Sequence, residues 1–161
     1  MDNASIVNWA LAALSRTTRF ITLGTLDLVP TQADKPSPHS SLTLAALNQK
    51  LTAAFPPSAG YQTVYIANTD SMEPLFDDNC VIVLEKPTPS RLAVQPYVAG
   101  DIITYPVKGG SIIHMLQTKT DAGWMVKGVN NKVADMSFVP ENIITGRVVA
   151  IGYAQQIDPG D

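Results

Sequence analysis

The sequence predicts a mainly β domain that follows a short helical or extended N-terminal region. From Tyr61 onward, short runs rich in β-branched and aromatic residues recur at regular intervals. Clusters of Asp, Asn, Gly and Pro separate these runs. Before residue 60 the pattern is different, with leucines at helical spacing and a tract of prolines and serines. The natural boundary divides an N-terminal region, 1–60, from a β-domain, 61–161.

The elements follow in order. Ser5 caps a first amphipathic helix to about residue 15, with Ile6, Trp9, Ala10, Ala13 and Leu14 on its apolar face. Arg19 to Val29 is rich in β-formers around one glycine and reads as a strand pair or an extended arm. Pro30 to Ser41 is almost devoid of apolar residues and reads as a linker. Ser41 to Phe55 reads as a second helix, with Leu42, Leu44, Leu47 and Leu51 as its packing positions, and it stops before Pro56-Pro57. Six strands are then expected, at Thr63–Ala67, Cys80–Leu84, Asp101–Tyr105, Ser111–Gln117, Trp124–Lys127 and Ile143–Ile151.

Composition narrows the function classes. A chain of 161 residues with 45% hydrophobic content supports one ordinary core and hardly two. The net charge is -3, and the 11 Lys and Arg are scattered, so no basic stripe exists to displace counterions from nucleic acid. A single cysteine, Cys80, rules out an intrachain disulfide and a cysteine zinc cluster. With only His39 and His114, a histidine-rich metal site is excluded too, and neither metal nor cofactor is expected. No run approaches the roughly 18–20 apolar residues of a membrane span. The N-terminus, Met1-Asp2-Asn3-Ala4-Ser5, is acidic and polar where a secretory signal is basic, and the apolar run Trp9 to Leu14 is short. The expectation is a soluble, cytoplasmic protein.

The sharpest local motif is Asp70-Ser71-Met72-Glu73-Pro74. A serine followed by Met, with proline three residues on, puts the hydroxyl at the mouth of a turn rather than inside a strand. This pentapeptide resembles the nucleophile box of the signal peptidase I and LexA-like serine peptidase superfamily, in the form with Asp before the serine found in its phage-repressor branch. Further blocks follow in the family's order: Cys80-Val81-Ile82-Val83, then Gly100-Asp101-Ile102-Ile103-Thr104-Tyr105, then Ile112-Ile113-His114-Met115-Leu116. Lys127-Gly128-Val129-Asn130-Asn131 and Ile144-Thr145-Gly146-Arg147-Val148-Val149 resemble the closing blocks. The resemblance covers roughly residues 61–153 and implies a compact LexA/signal-peptidase-like β-domain.

What the resemblance implies for chemistry is a Ser-His variant of that family. Ser71 stands at the nucleophile position, and His114, 43 residues later, stands where the family places its general base. Asp135 matches the acid that completes a triad in the histidine branch. For the oxyanion hole the resemblance nominates the Ser71 backbone N–H and the Thr69 hydroxyl. A serine hydroxyl attacks only when a neighbouring base takes its proton. Neutral imidazole does this without the burial that lysine needs, and a carboxylate on its far nitrogen fixes the tautomer.

The sequence departs from the family pattern at four places. Asn79-Cys80 stands for Gly-Asp, a change expected to be mild because Asn tolerates a left-handed turn. Val129 replaces a usual acid, and Met115 follows the base where Arg is common. Plainer readings stand beside the catalytic ones: Ser71 as a turn cap, His114 as a core histidine, Asp135 as a loop acid. Lys108, a LexA-style rival base, sits beside Gly109-Gly110 and reads as a solvated turn residue, and Cys80 reads as a buried small hydrophobe. Ala59-Gly60 resembles the bond that LexA-like repressors cut in themselves, but lies only eleven positions before Ser71.

Two functions are therefore carried forward. One is a serine endopeptidase, or a self-processing protease, acting on a peptide or protein substrate. The other is a catalytically degenerate copy of the fold, serving in a phage virion as a capsid or tail component against neighbouring subunits. The latter implies a homo- or hetero-oligomer and a virion location. DNA binding is not expected, because the first 60 residues offer no basic recognition helix. No membrane span is expected either.

Overall fold

A computed structural model describes residues 32–155 apart from Asp34, Pro36 and Asn68. The expected first helix and the Arg19 to Val29 segment lie outside the described residues. The domain is mainly β, as the sequence predicts: six antiparallel strands form one sheet in the order β1-β2-β6-β3-β4-β5. The strands are β1 (Tyr61–Tyr65), β2 (Cys80–Glu85), β3 (Ile102–Val107), β4 (Gly110–Thr120), β5 (Gly123–Lys127) and β6 (Gly146–Tyr153).

Strand β2, Cys-Val-Ile-Val-Leu-Glu, is apolar almost throughout because both its faces are covered. Ile82 and Leu84 enter one cluster with Val64, Met72, Phe76, Ile102, Ile113, Val148 and Ile151. Val81 and Val83 point the other way, onto Leu47 and Leu51 of helix α1 (Leu44–Ala54). Thr43 caps α1 by accepting from the Ala46 N–H, and the helix ends at Phe55, just before the prolines. The leucine stripe thus packs on the sheet, and α1 belongs to the same body as the strands, across the boundary expected near residue 60. Gly152 allows that approach: a Cβ there would lie 2.7 Å from Leu47 Cδ1 and 2.9 Å from Leu51 Cδ1.

A second helix, α2 (Pro89–Val94), begins on Pro87 to Pro89, which read as a turn in sequence. Thr88 accepts from the Arg91 N–H and Pro89 fills the first turn, which is a helix start written in turn-like residues. The two halves of the sheet meet at only two paired positions, Ile103↔Arg147 and Thr104↔Gly146. Arg147 secures that seam from within: it is buried, donates to Gln95 O at 2.9 Å and to Glu85 Oε2 at 3.0 Å, and approaches Asp101. A third cluster, Ile103, Tyr105, Leu116, Trp124, Val126 and Ile144, lies on one face of β3, β4 and β5. Among the described residues no helix is long and apolar enough to cross a membrane.

Truncating Leu51, which has no exposed surface, leaves a cavity between helix and sheet. Leu51→Ala is expected to lower stability by about 2–5 kcal/mol, read from denaturant unfolding, with the fold retained.

Candidate active site

Ser71 sits in the connection between β1 and β2. Two turn hydrogen bonds, Glu73 N–H to Asp70 O at 3.3 Å and Leu75 N–H to Met72 O at 2.9 Å, fold the box tightly. Met72 and Phe76 anchor it in the main core. Asp70 takes a left-handed conformation, with φ 54°. It is the only described non-glycine residue to do so, and the turn that Asn79 was expected to make does not use that region. Ser71 is fully buried, and its Oγ lies 3.2 Å from Thr69 Oγ1.

His114 lies on β4, paired across from Ile103, and is 1% exposed. Residues 132–138 fold back over this face, where the Asp135 N–H donates to Val126 O at 2.9 Å. Asp135 Oδ2 then stands 2.5 Å from His114 Nδ1 and accepts from the Tyr105 hydroxyl at 2.7 Å. A carboxylate at Nδ1 fixes the proton there and leaves Nε2 with its lone pair. That Nε2 is buried and makes no hydrogen bond among the described residues.

The turn that follows β5 connects the two parts. Met115 pairs with Lys127, and Gly128 comes next. A Cβ at Gly128 would lie 2.6 Å from Ser71 O, so the turn and the serine box are in backbone contact. The Asn130 N–H donates to Ser71 O at 3.0 Å, and Asn131 N–H closes the turn on Gly128 O at 3.0 Å. Ser71 and His114 therefore share a neighbour, but no hydrogen bond joins their side chains. The expected hydroxyl–imidazole bond is replaced by the one between Ser71 and Thr69, whose hydroxyl is nearer in the chain and already within the turn.

The remaining candidates separate cleanly. Lys108 is exposed at the β3–β4 hairpin tip. Cys80 is fully buried, and burial pushes its thiol up to about 12, so it packs and does not react. Ala59-Gly60 lies in a 3-10 turn ending at a left-handed Gly60. The Arg91 guanidinium bonds both carbonyls there, so this bond is not presented as an extended segment. Three carboxylates meet near the box: oxygens of Asp70, Glu73 and Asp77 lie within 4.8 Å of one another. Burial, and next the charge of Asp78, hold the Asp77 carboxyl above its ordinary 3.8, while the Asp78 and Thr69 N–H groups pull it back.

Compared with protein-family models, curated proteins and solved structures, the chain gives no match. Sequence reasoning missed Tyr105, Glu73 and Asn130 as parts of the site. Alternation along β3 puts Tyr105 on the face of Ile103, which is a usable signal only once the pairing of Ile103 with His114 is known.

Two predictions follow from this geometry. Gly128→Ala forces the turn away from Ser71 O and is expected to cost about 1–3 kcal/mol in thermal unfolding. Asp77 holds its proton more tightly folded than unfolded, so its ionised form costs stability and the cost disappears on acidification. The Tm of Asp77→Asn minus that of wild type is therefore expected to fall steadily as pH is lowered through about 4.

Proposed function

We propose that the chain is a serine peptidase of the Ser-His-Asp type, in a LexA/signal-peptidase-like β-domain. The observation that carries this reading is the Asp135–His114 pair, with the carboxylate on Nδ1 of the buried imidazole and Nε2 left as the basic nitrogen. In the proposed reaction the Ser71 hydroxyl leaves Thr69, gives its proton to His114 Nε2, and its oxygen bonds to the substrate carbonyl carbon. The oxyanion is held by the Ser71 N–H and the Thr69 hydroxyl. His114 then returns the proton to the leaving amine as the C–N bond breaks. Water, deprotonated by the same imidazole, hydrolyses the ester. Tyr105 holds the Asp135 oxygen that faces the imidazole.

A second reading, a structural or assembly component of a phage virion built on a silent peptidase fold, is favoured by a different observation. Ser71 and His114 are both buried and are not hydrogen-bonded to each other. Beside Asp135, Val133, Met136 and Phe138 expose apolar side chains of the kind that neighbouring subunits cover.

A fluorophosphonate probe separates the two. Labelling of wild type that vanishes in Ser71→Ala is the expected result; an unlabelled wild type with intact fold supports the assembly reading. Asp135→Asn removes the tautomer control and is expected to slow labelling by about 10³–10⁴-fold with little change in Tm. Tyr105→Phe keeps the packing and loses one hydrogen bond, with an expected loss of about tenfold.

A further inference from the structure

The segment before α1 is bound along the serine box by its main chain. The Gln32 N–H donates to Asn130 O at 2.8 Å, and Asn130 Nδ2 donates to Ala33 O at 3.4 Å. The Lys35 N–H donates to Glu73 Oε2 at 2.8 Å. The two residues that receive the segment are buried and joined: Asn130 is fully buried, Glu73 is 1% exposed, and Asn130 Nδ2 bonds Glu73 Oε2 at 3.2 Å. The segment itself is the opposite. Gln32 and Ala33 are exposed, so what is held is backbone, not side chain. Further along, Ser40 N–H donates to Ala154 O at 2.9 Å and its hydroxyl to Tyr153 O at 2.6 Å, tying the strap down at its far end.

A buried carboxylate and a buried amide aimed at passing N–H and C=O groups make a reader of main chain that ignores sequence. Both belong to the serine turn or touch it: Glu73 lies two residues after Ser71, and Asn130 donates to Ser71 O. We propose that Asn130 and Glu73 form a subsite for the backbone of an extended polypeptide beside Ser71, and that Gln32, Ala33 and Lys35 fill it in cis. The role of this subsite in cleavage rests on the reading of Ser71 as nucleophile; its capacity to bind peptide does not. The substrate class it implies is an unfolded or extended chain segment of relaxed sequence, which must displace the strap to be held.

The test uses the full chain. Gln32→Pro with Lys35→Pro deletes two of the three main-chain contacts, since proline has no N–H. Gln32→Ala with Lys35→Ala keeps both donors and serves as the control. A fluorescent peptide spanning residues 30–37 is titrated to millimolar concentration and followed by anisotropy. The proline variant is expected to bind it at least tenfold more tightly than wild type or the alanine control. Fluorophosphonate labelling of Ser71 is expected to be about twenty-five-fold faster in the proline variant, at about five-fold per bond lost, and slowed again by the peptide. A proline variant that does not bind the peptide, or binds it no better than wild type, overturns the subsite. Binding as expected with no labelling of any variant keeps the subsite and removes Ser71 as nucleophile.

Discussion

The candidate site depends on one close approach, that of the Ser71 carbonyl to Gly128. Any side chain at 128 would lie within 2.6 Å of that oxygen and collide with the Asn131 amide as well. Because glycine is there, the turn after β5 settles onto the serine box, and the Asn130 N–H satisfies the buried carbonyl. The same turn continues directly from the strand paired with β4, which carries His114. A backbone contact, not a side-chain bond, thus links the serine box to the β4–β5 hairpin.

The three side chains of the candidate site are each engaged by a near neighbour. The serine hydroxyl is held by Thr69, the imidazole by Asp135, and Asp135 in turn by Tyr105. Each of these contacts is local to its own half of the site. No side-chain hydrogen bond joins the two halves through Ser71 and His114. Ala33 and Lys35, from a distant piece of chain, are bonded to Asn130 and Glu73 beside the same box.

Much of the architecture was legible before any coordinates. The six strands show because β-branched runs end at Asp, Asn and Gly clusters, and α1 shows because Leu47 and Leu51 recur at helical spacing. Helix α2 was hidden by Pro87 to Pro89, which announce a turn unless Thr88 is read as a cap. Left-handed backbone was expected at Asn79 and occurs at Asp70, a residue equally tolerant of it but placed where the serine turn needs it. His114 and Asp135 entered through resemblance to a family. Their juxtaposition depends on the fold-back of residues 132–138, which no local pattern encodes. Asn130 and Glu73 were invisible as a pair because they are 57 positions apart and meet only through tertiary packing.

The strand order has a consequence for biosynthesis. Among the described residues β6 is the latest strand in sequence, yet it lies in the middle of the sheet, between β2 and β3. The serine turn belongs to the β1–β2 half and the histidine to the β3–β4–β5 half, so the two have no common sheet until β6 is inserted. During translation a ribosome-bound chain lacking that strand would hold the parts of the site without their alignment. The serine turn and the histidine strand therefore gain a fixed relation only after synthesis has passed Tyr153.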